Sequence, residues 1–325
     1  MSAWKQVAQR AVQWSGGIRL ARHMSRQGLR ILTYHRFGDP GGAWEKALQQ
    51  QCVHFRRYYH PVSLTEAAAM LRSARPLPPR SLVITIDDGY RDCLPACRLF
   101  RSFGIPVTVY VATDFLDGLT WLWTDVARWA FQQTSVAEWE YRGPSGPVRF
   151  SLVSPALRRL AQFQIIETLK LASNAERLQW IRELPRQLGV SLPPQPPPDL
   201  APLSWEEVGS LAGQGVEFGA HTRSHPILSR LAGETELRHE VDGSRARIEQ
   251  EIGRPVLHFC YPNGRPQDLS PLAVEVVRRA GFQTAVTTAP GLNYRGADSL
   301  LLKRLGVEPD LSPFDFQTVL TGLRR

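Results

Sequence analysis

Short apolar runs separated by helix-length amphipathic stretches dominate this chain and leave few folds open to it. Residues 29–36, 81–86, 106–112, 215–220, 254–261, 282–287 and 300–307 each read as a strand rich in β-branched and aromatic residues. Helical spacing covers residues 44–59, 63–73, 91–103, 233–252 and 270–280, and a further helix begins at Ser204. Ser63 with Glu66, and Ser204 with Glu207, have the spacing of a capping box, and Gly104 suits the end of a helix. Strand–helix–strand order implies parallel strands with right-handed crossovers. About seven strands, and no glycine-rich phosphate loop, favour an α/β barrel over an open dinucleotide-binding sheet.

The alternation lapses between residues 119 and 202. That stretch is rich in Trp and Gln, shows helical spacing near 121–132 and 155–187, and ends in Pro193-Pro194-Gln195-Pro196-Pro197-Pro198. It reads as a mainly helical insertion closed by a stiff linker. The barrel is then expected to comprise 29–118 and 203–325. The 325-residue length suits one large α/β domain with such an insertion.

Residues 1–28 read as a basic amphipathic helix. Trp4, Val7, Ala8, Ala11, Trp14 and Ile18 recur at helical spacing, with Lys5, Arg10, Arg19, Arg22 and Arg26 among them. Such a helix either packs on the domain's own surface, the favoured reading, or makes a peripheral contact with an anionic membrane. The net charge of +9 favours anionic partners. The scattered basic residues and the lack of a recognition motif argue against nucleic acid. Cys52, Cys93, Cys97 and Cys260 lack zinc-ribbon spacing and read as reduced thiols. With no apolar leader and no run of membrane-spanning length, the expected location is cytoplasmic, with membrane association as the variant.

Chemistry concentrates at the predicted strand ends. Thr85-Ile86-Asp87-Asp88-Gly89-Tyr90 closes one strand with two acids. Neighbouring strand residues point to opposite sides, so the two acids share a site only if the chain turns there, which Gly89 permits. The bland alternative is a loop pair capping the next helix. Other strands end at His35, at His221 with His225, and at Pro262-Asn263-Gly264. Pro226 follows His225 directly and disfavours a helix there, so the histidine pair is placed on a turn. Two His and one Asp make a facial set for a divalent metal with open positions. The second acid is then free to act as a base toward water, which suits hydrolysis of an amide or ester.

Thr85–Tyr90, His221-Thr222-Arg223-Ser224-His225-Pro226 and Phe259-Cys260-Tyr261-Pro262-Asn263-Gly264 resemble the three leading motifs of the NodB-homology polysaccharide deacetylases, in the same order and strand context. The resemblance runs from about residue 30 to residue 310, apart from the insertion. Residues 33–37, 287–293 and 302–305 look most like the exopolysaccharide-biosynthesis branch. The resemblance implies a distorted (β/α)7 barrel that removes N-acetyl groups from aminosugars. It implies Asp87 as general base, Asp88, His221 and His225 as ligands of one divalent ion, with zinc expected, and the Asn263 backbone N–H as oxyanion donor. His35 on the first strand fits the acid, with a structural histidine as its alternative.

Three departures stand out, the first being that the family's Leu-x-His motif, which supplies the acid, has no counterpart after residue 260. Cys260 occupies the place of an arginine that orients the base, and Arg304 is a candidate to replace it. Asn263 occupies the place of an aromatic residue. Trp121-Leu122-Trp123 could stack on sugar, but insertion core is the favoured reading. His23, His54, His60, His239 and His258 read as surface or packing residues. The expected substrate is an N-acetylated glycan or a lipid-linked aminosugar, in exopolysaccharide or cell-surface glycan assembly. Hydrolysis of another amide, such as a formyl group, and a non-catalytic glycan-binding protein on the same fold are the rivals.

Overall fold

A computed structural model describes residues 16–73, 76–143 and 146–322. Its strands are β1 Arg30–Tyr34, β2 His60–Pro61, β3 Ser81–Ile86, β4 Val107–Val111, β5 Glu138–Gly143, β6 Gly146–Ser151, β7 Glu217–Ala220, β8 His258–Cys260, β9 Thr284–Pro290 and β10 Leu302–Gly306. Seven of them (β1, β3, β4, β7, β8, β9 and β10) pair in parallel in chain order, and β1 joins both β3 and β10. The sheet therefore closes into the seven-stranded barrel that the alternation predicts. The two-residue β2 adds to the edge of β3 at its start.

These strands lack polar–apolar alternation because both faces are covered. Leu82, Ile84 and Ile86 of β3 pack outward against the helices, while Val83 joins an inner cluster with Ile31, Tyr110, Cys260, Val286 and Leu302. Gly219 of β7 is the gap that admits Tyr110, since a Cβ there would lie 2.5 Å from the tyrosine ring. The inward parity that starts at Val83 continues through Thr85 to Asp87. The same count carries the inner face of β1 to His35 and that of β10 to Arg304, and it fixes the upper layer of the barrel.

Helices Ala43–Tyr58, Leu64–Arg72, Cys93–Ser102, Trp205–Gly213, Glu234–Ile252 and Pro271–Arg279 surround the barrel. Both expected capping boxes form, Ser63 with Glu66 and Ser204 with Glu207. Each contributes roughly 1 kcal/mol by satisfying N–H groups that the first turn leaves unpaired. Of the N-terminal helix expected over 1–28, residues 1–15 lie outside the described residues, and Gly17–Met24 is helical.

Residues 119–202 contain helices Trp123–Gln133, Pro155–Leu169 and Asn174–Gln187. The run over 155–187 is thus two helices, because Ser173 and Glu176 form a new capping box. The segment also carries the antiparallel pair β5–β6, which the helical reading missed. Its signal was the alternation of buried Trp139 and Tyr141 with charged neighbours, and Trp139 stacks on Phe150 at 5.8 Å. Trp121 and Trp123 are buried in the main core, so the packing reading of that cluster holds. Among the described residues, no helix is long and apolar enough to cross a membrane.

Candidate active site and metal centre

The turn expected after β3 separates the two acids. Asp88 has φ +74° and Gly89 φ +80°, so the chain reverses as it leaves the barrel wall. Asp87 remains in the barrel mouth, and Asp88 is directed to the histidine pair. The register Tyr34↔Ile86 sets His35 beside Asp87, and the Asp87 N–H donates to the Tyr34 carbonyl at 2.9 Å. His35 Nε2 lies 3.6 Å from Asp87 Oδ2, with 43% of its side chain exposed. His35 thus stands on the open side of the carboxylate.

Behind Asp87 is Arg304. Nη1 donates to Oδ1 and Nη2 to Oδ2, both at 2.7 Å, a bidentate clamp between two fully buried side chains. The guanidinium is itself fixed by Nε donating to the Thr287 carbonyl at 2.8 Å and Nη1 to Thr85 Oγ1 at 3.2 Å. Cys260 lies alongside, its Sγ 3.3 Å from Arg304 Nη2 and 3.5 Å from Asp87 Oδ2. The arginine missing from the third motif is thus supplied by β10 across the barrel, and a thiol fills the space left on β8. Burial alone would raise the Asp87 carboxyl, but the charge and hydrogen bonds of Arg304, aided by His35 and His221, hold it down to about 2.

On the other side of the turn, His221 Nε2 and His225 Nε2 lie 3.3 and 3.4 Å from the same Asp88 oxygen, Oδ1. One ligand atom from each of the three residues falls within 4.8 Å of the others. His221 Nδ1 is 2.7 Å from the Cys260 carbonyl oxygen. That contact fixes an Nδ1–H on the carbonyl and turns Nε2 toward Asp88. Burial opposes charge on His221, yet Cys260 and the two aspartates outweigh it and raise its pKa. Burial outweighs Asp88 at His225, whose pKa is lowered. Burial favours a neutral Asp88, but the two histidines keep it well below the ordinary carboxylate range. A divalent cation bound to the deprotonated imidazole nitrogens would take the place of the protons that join them to Asp88. The donor set of two imidazole nitrogens and one carboxylate oxygen therefore fits a divalent cation.

The loop that carries the histidines is held by Glu240, a residue without a signal in the sequence. Its Oε2 accepts the Arg223 and Ser224 N–H groups at 2.8 and 2.9 Å, and its Oε1 accepts Ser224 Oγ–H at 2.6 Å. Thr222 Oγ1 accepts the His225 N–H at 3.1 Å. Thr222 and His225 both have positive φ, +65° and +58°. Asn263 shares that conformation at +58°, and its carbonyl accepts Thr288 Oγ–H at 2.6 Å. Four of the five described non-glycine residues with positive φ thus lie in the three motif turns. Such strain persists where surrounding contacts over-determine a site. The 119–202 segment reaches the same rim, since Tyr90 donates to Asp125 and Arg265 pairs with Glu167 at 3.0 Å.

Known proteins share part of this sequence and its fold. A family model described as Polysaccharide deacetylase matches residues 163–285. The YxkH protein of Bacillus subtilis (strain 168) is 25% identical over 122 residues. That stretch covers 38% of this chain and 42% of YxkH, so the chain spans less than half the length of that relative. Among solved structures, the Streptococcus pyogenes deacetylase PplD in complex with acetate shares the fold at TM-score 0.58 and 15% identity, over 90% of this chain and 98% of that one. IcaB from Ammonifex degensii gives 0.57 and 18%, over 91% and 97%. The deacetylase domain of BpsB from Bordetella bronchiseptica gives 0.53 and 17%, over 86% and 96%. The closed α/β barrel carries its polar residues at the strand ends. The chain thus resembles the polysaccharide deacetylases over residues 163–285 and shares its barrel with these solved structures.

Proposed function

We propose that this protein hydrolyses the N-acetyl group of aminosugars in an exopolysaccharide or cell-surface glycan precursor. The observation that carries the reading is the division of labour at the end of β3. One carboxylate is clamped by Arg304 and faces the open mouth; the next joins two histidines in a cation site. The family match and the fold shared with PplD and the BpsB deacetylase domain support the deacetylase part of this reading.

Asp88, His221 and His225 would hold one divalent ion, with zinc the expected metal for two imidazoles and a carboxylate. Bound there, the ion would supply Lewis acidity, which lowers the pKa of water and polarises an acyl oxygen. Asp87 takes the proton from the attacking water, and Arg304 keeps both of its oxygens in place as it does so. The Asn263 backbone N–H meets the negative charge that develops on the acetamide oxygen. As the C–N bond breaks, His35 gives its proton to the nitrogen, and acetate and a free amine leave. The exposed side of His35 is where a bulky sugar amine has room. Encounter with a lipid-linked precursor at the cytoplasmic face of a membrane belongs to the same reading, supported by the run of basic residues before Asp39, the first acid in the chain.

A panel of N-acetylated and N-formylated glucosamine oligomers, given to metal-stripped and zinc-reloaded protein, tests this. The reading expects acetate release restored by the metal and a preference for acetyl over formyl. Formate release without acetate release would overturn it in favour of a deformylase.

A further inference from the structure

The barrel has a second polar site at the end opposite Asp87. Helix Gly17–Met24, the last turns of helix Ala43–Tyr58 and the residues that lead into β3 enclose a pocket of about 1040 Å³. It is reached from the N-terminal ends of the strands, whereas the catalytic residues leave the C-terminal ends. Arg19, Arg22, Arg26, Arg57 and Arg80 line it, together with His54, and no Asp or Glu does so among the described residues.

None of these five arginines forms an ion pair with a described carboxylate, although thirteen arginines elsewhere do. What sets the five apart is that they gather around one concavity with no described carboxylate in its lining. Arg22 is fixed over the Tyr58 ring at 4.3 Å, and its buried Nε has no acceptor among the described residues. Buried Arg30 ties the wall of the pocket to the barrel. Its Nε donates to the Leu320 carbonyl at 2.6 Å and its Nη1 to the Gly28 carbonyl at 2.9 Å. Arg80 is held at φ +64°, a conformation that a long side chain rarely adopts, and its N–H donates to the Arg26 carbonyl at 2.6 Å. Burial, and after it the charges of Arg22 and Arg57, push the neighbouring His54 down to about 4.

Like charges gathered in one concavity repel, and a fixed anion relieves that repulsion. Planar guanidinium groups match phosphate oxygens in a bidentate fashion. We propose that this pocket binds a phosphate-bearing anion of pyrophosphate size, separate from the catalytic centre. The same chemistry is offered by a lipid headgroup or by a soluble phosphate ester. Leu20 and Met24, 61% and 76% exposed on the same helix, would suit a membrane surface beside the headgroup.

The test uses the full chain with two probes, inorganic pyrophosphate by calorimetry and vesicles by co-sedimentation. Vesicles of phosphatidylglycerol with phosphatidylcholine are compared with phosphatidylcholine alone. The wild type should bind at least one anionic probe. Arg22→Glu with Arg57→Glu should weaken it at least about tenfold, since each charge-assisted bond lost is worth more than that factor. Acetate release from a soluble oligomer should stay unchanged, which separates this proposal from the deacetylase reading. Arg19→Gln with Arg26→Gln, two exposed positions, gives the same loss of binding if the first variant fails to fold. Vesicle binding alone assigns the phosphate to a lipid, and pyrophosphate binding alone to a soluble ester. Failure of the wild type to bind either probe, or wild-type binding by the folded variants, overturns the proposal.

Discussion

The pair Asp87–Arg304 shows how a site keeps its geometry when one motif residue changes. Cys260 stands where an orienting arginine is expected, and Arg304 reaches the same carboxylate from β10. A buried ion pair is a weak source of net stability, but removal of one partner strands the other at a cost of about 3–5 kcal/mol. Arg304→Met should therefore lower kcat and move the acid limb of kcat/KM upward, because Asp87 loses the charge that keeps it near 2. Arg304→Lys should recover part of the shift but not the bidentate alignment. A pH–rate profile distinguishes this positioning role from a merely structural one, which would leave the limb in place. A linked stability effect follows with a definite sign. The folded pKa of Asp87 lies below its ordinary 3.8, so its contribution is complete above about pH 4 and lost as pH falls toward 2. Denaturant titrations at pH 5 and pH 2.5 should show on the order of 2 kcal/mol of this dependence in the wild type, and less in Arg304→Met.

At the level of elements, the motif turns are the part of the site that the sequence could not describe. Gly89 and Pro226 announced that the chain turns after β3 and β7. Positive φ at Asp88, Thr222, His225 and Asn263 is not marked by glycine, and Asp, His and Asn adopt it only in some turns. Glu240 was equally hidden, because one acid on a long charged helix looks like a solvent-facing residue. In the fold it is buried and accepts three hydrogen bonds from the histidine loop. Glu240→Gln should keep the shape but weaken those bonds. By the usual weight of groups that orient metal ligands, zinc affinity should fall about 10–100-fold. Competition with a chelator would measure it, and unchanged affinity would show that the loop holds itself. The hairpin β5–β6 was missed for another reason. Its alternation is short, and it lies inside a stretch whose Gln and Trp content favours a helical reading.

Across the whole molecule, the barrel was legible because parallel strands buried on both faces leave continuous apolar runs with helices between them. The identities of Asp87, Asp88, His35, His221, His225 and Asn263 as strand-end residues were legible for the same reason. Arg304 was named only as a candidate, since a charge within a predicted strand gives no hint of its partner 217 residues away. The fold brings it to Asp87 by closing β1 onto β10. Closure thus joins chemistry from both ends of the chain in one mouth, and leaves the arginine pocket at the opposite end of the same barrel. The account stands on Asp87 as the base of a deacetylase. Acetate release from N-acetylglucosamine oligomers by the zinc-loaded wild type, beside Asp87→Asn, measures that directly. The account predicts release by the wild type and a loss of about 10²-fold or more in kcat for the variant, with sugar binding retained. A wild type that binds the oligomer but frees no acetate, or a variant that frees it at the same rate, would contradict it.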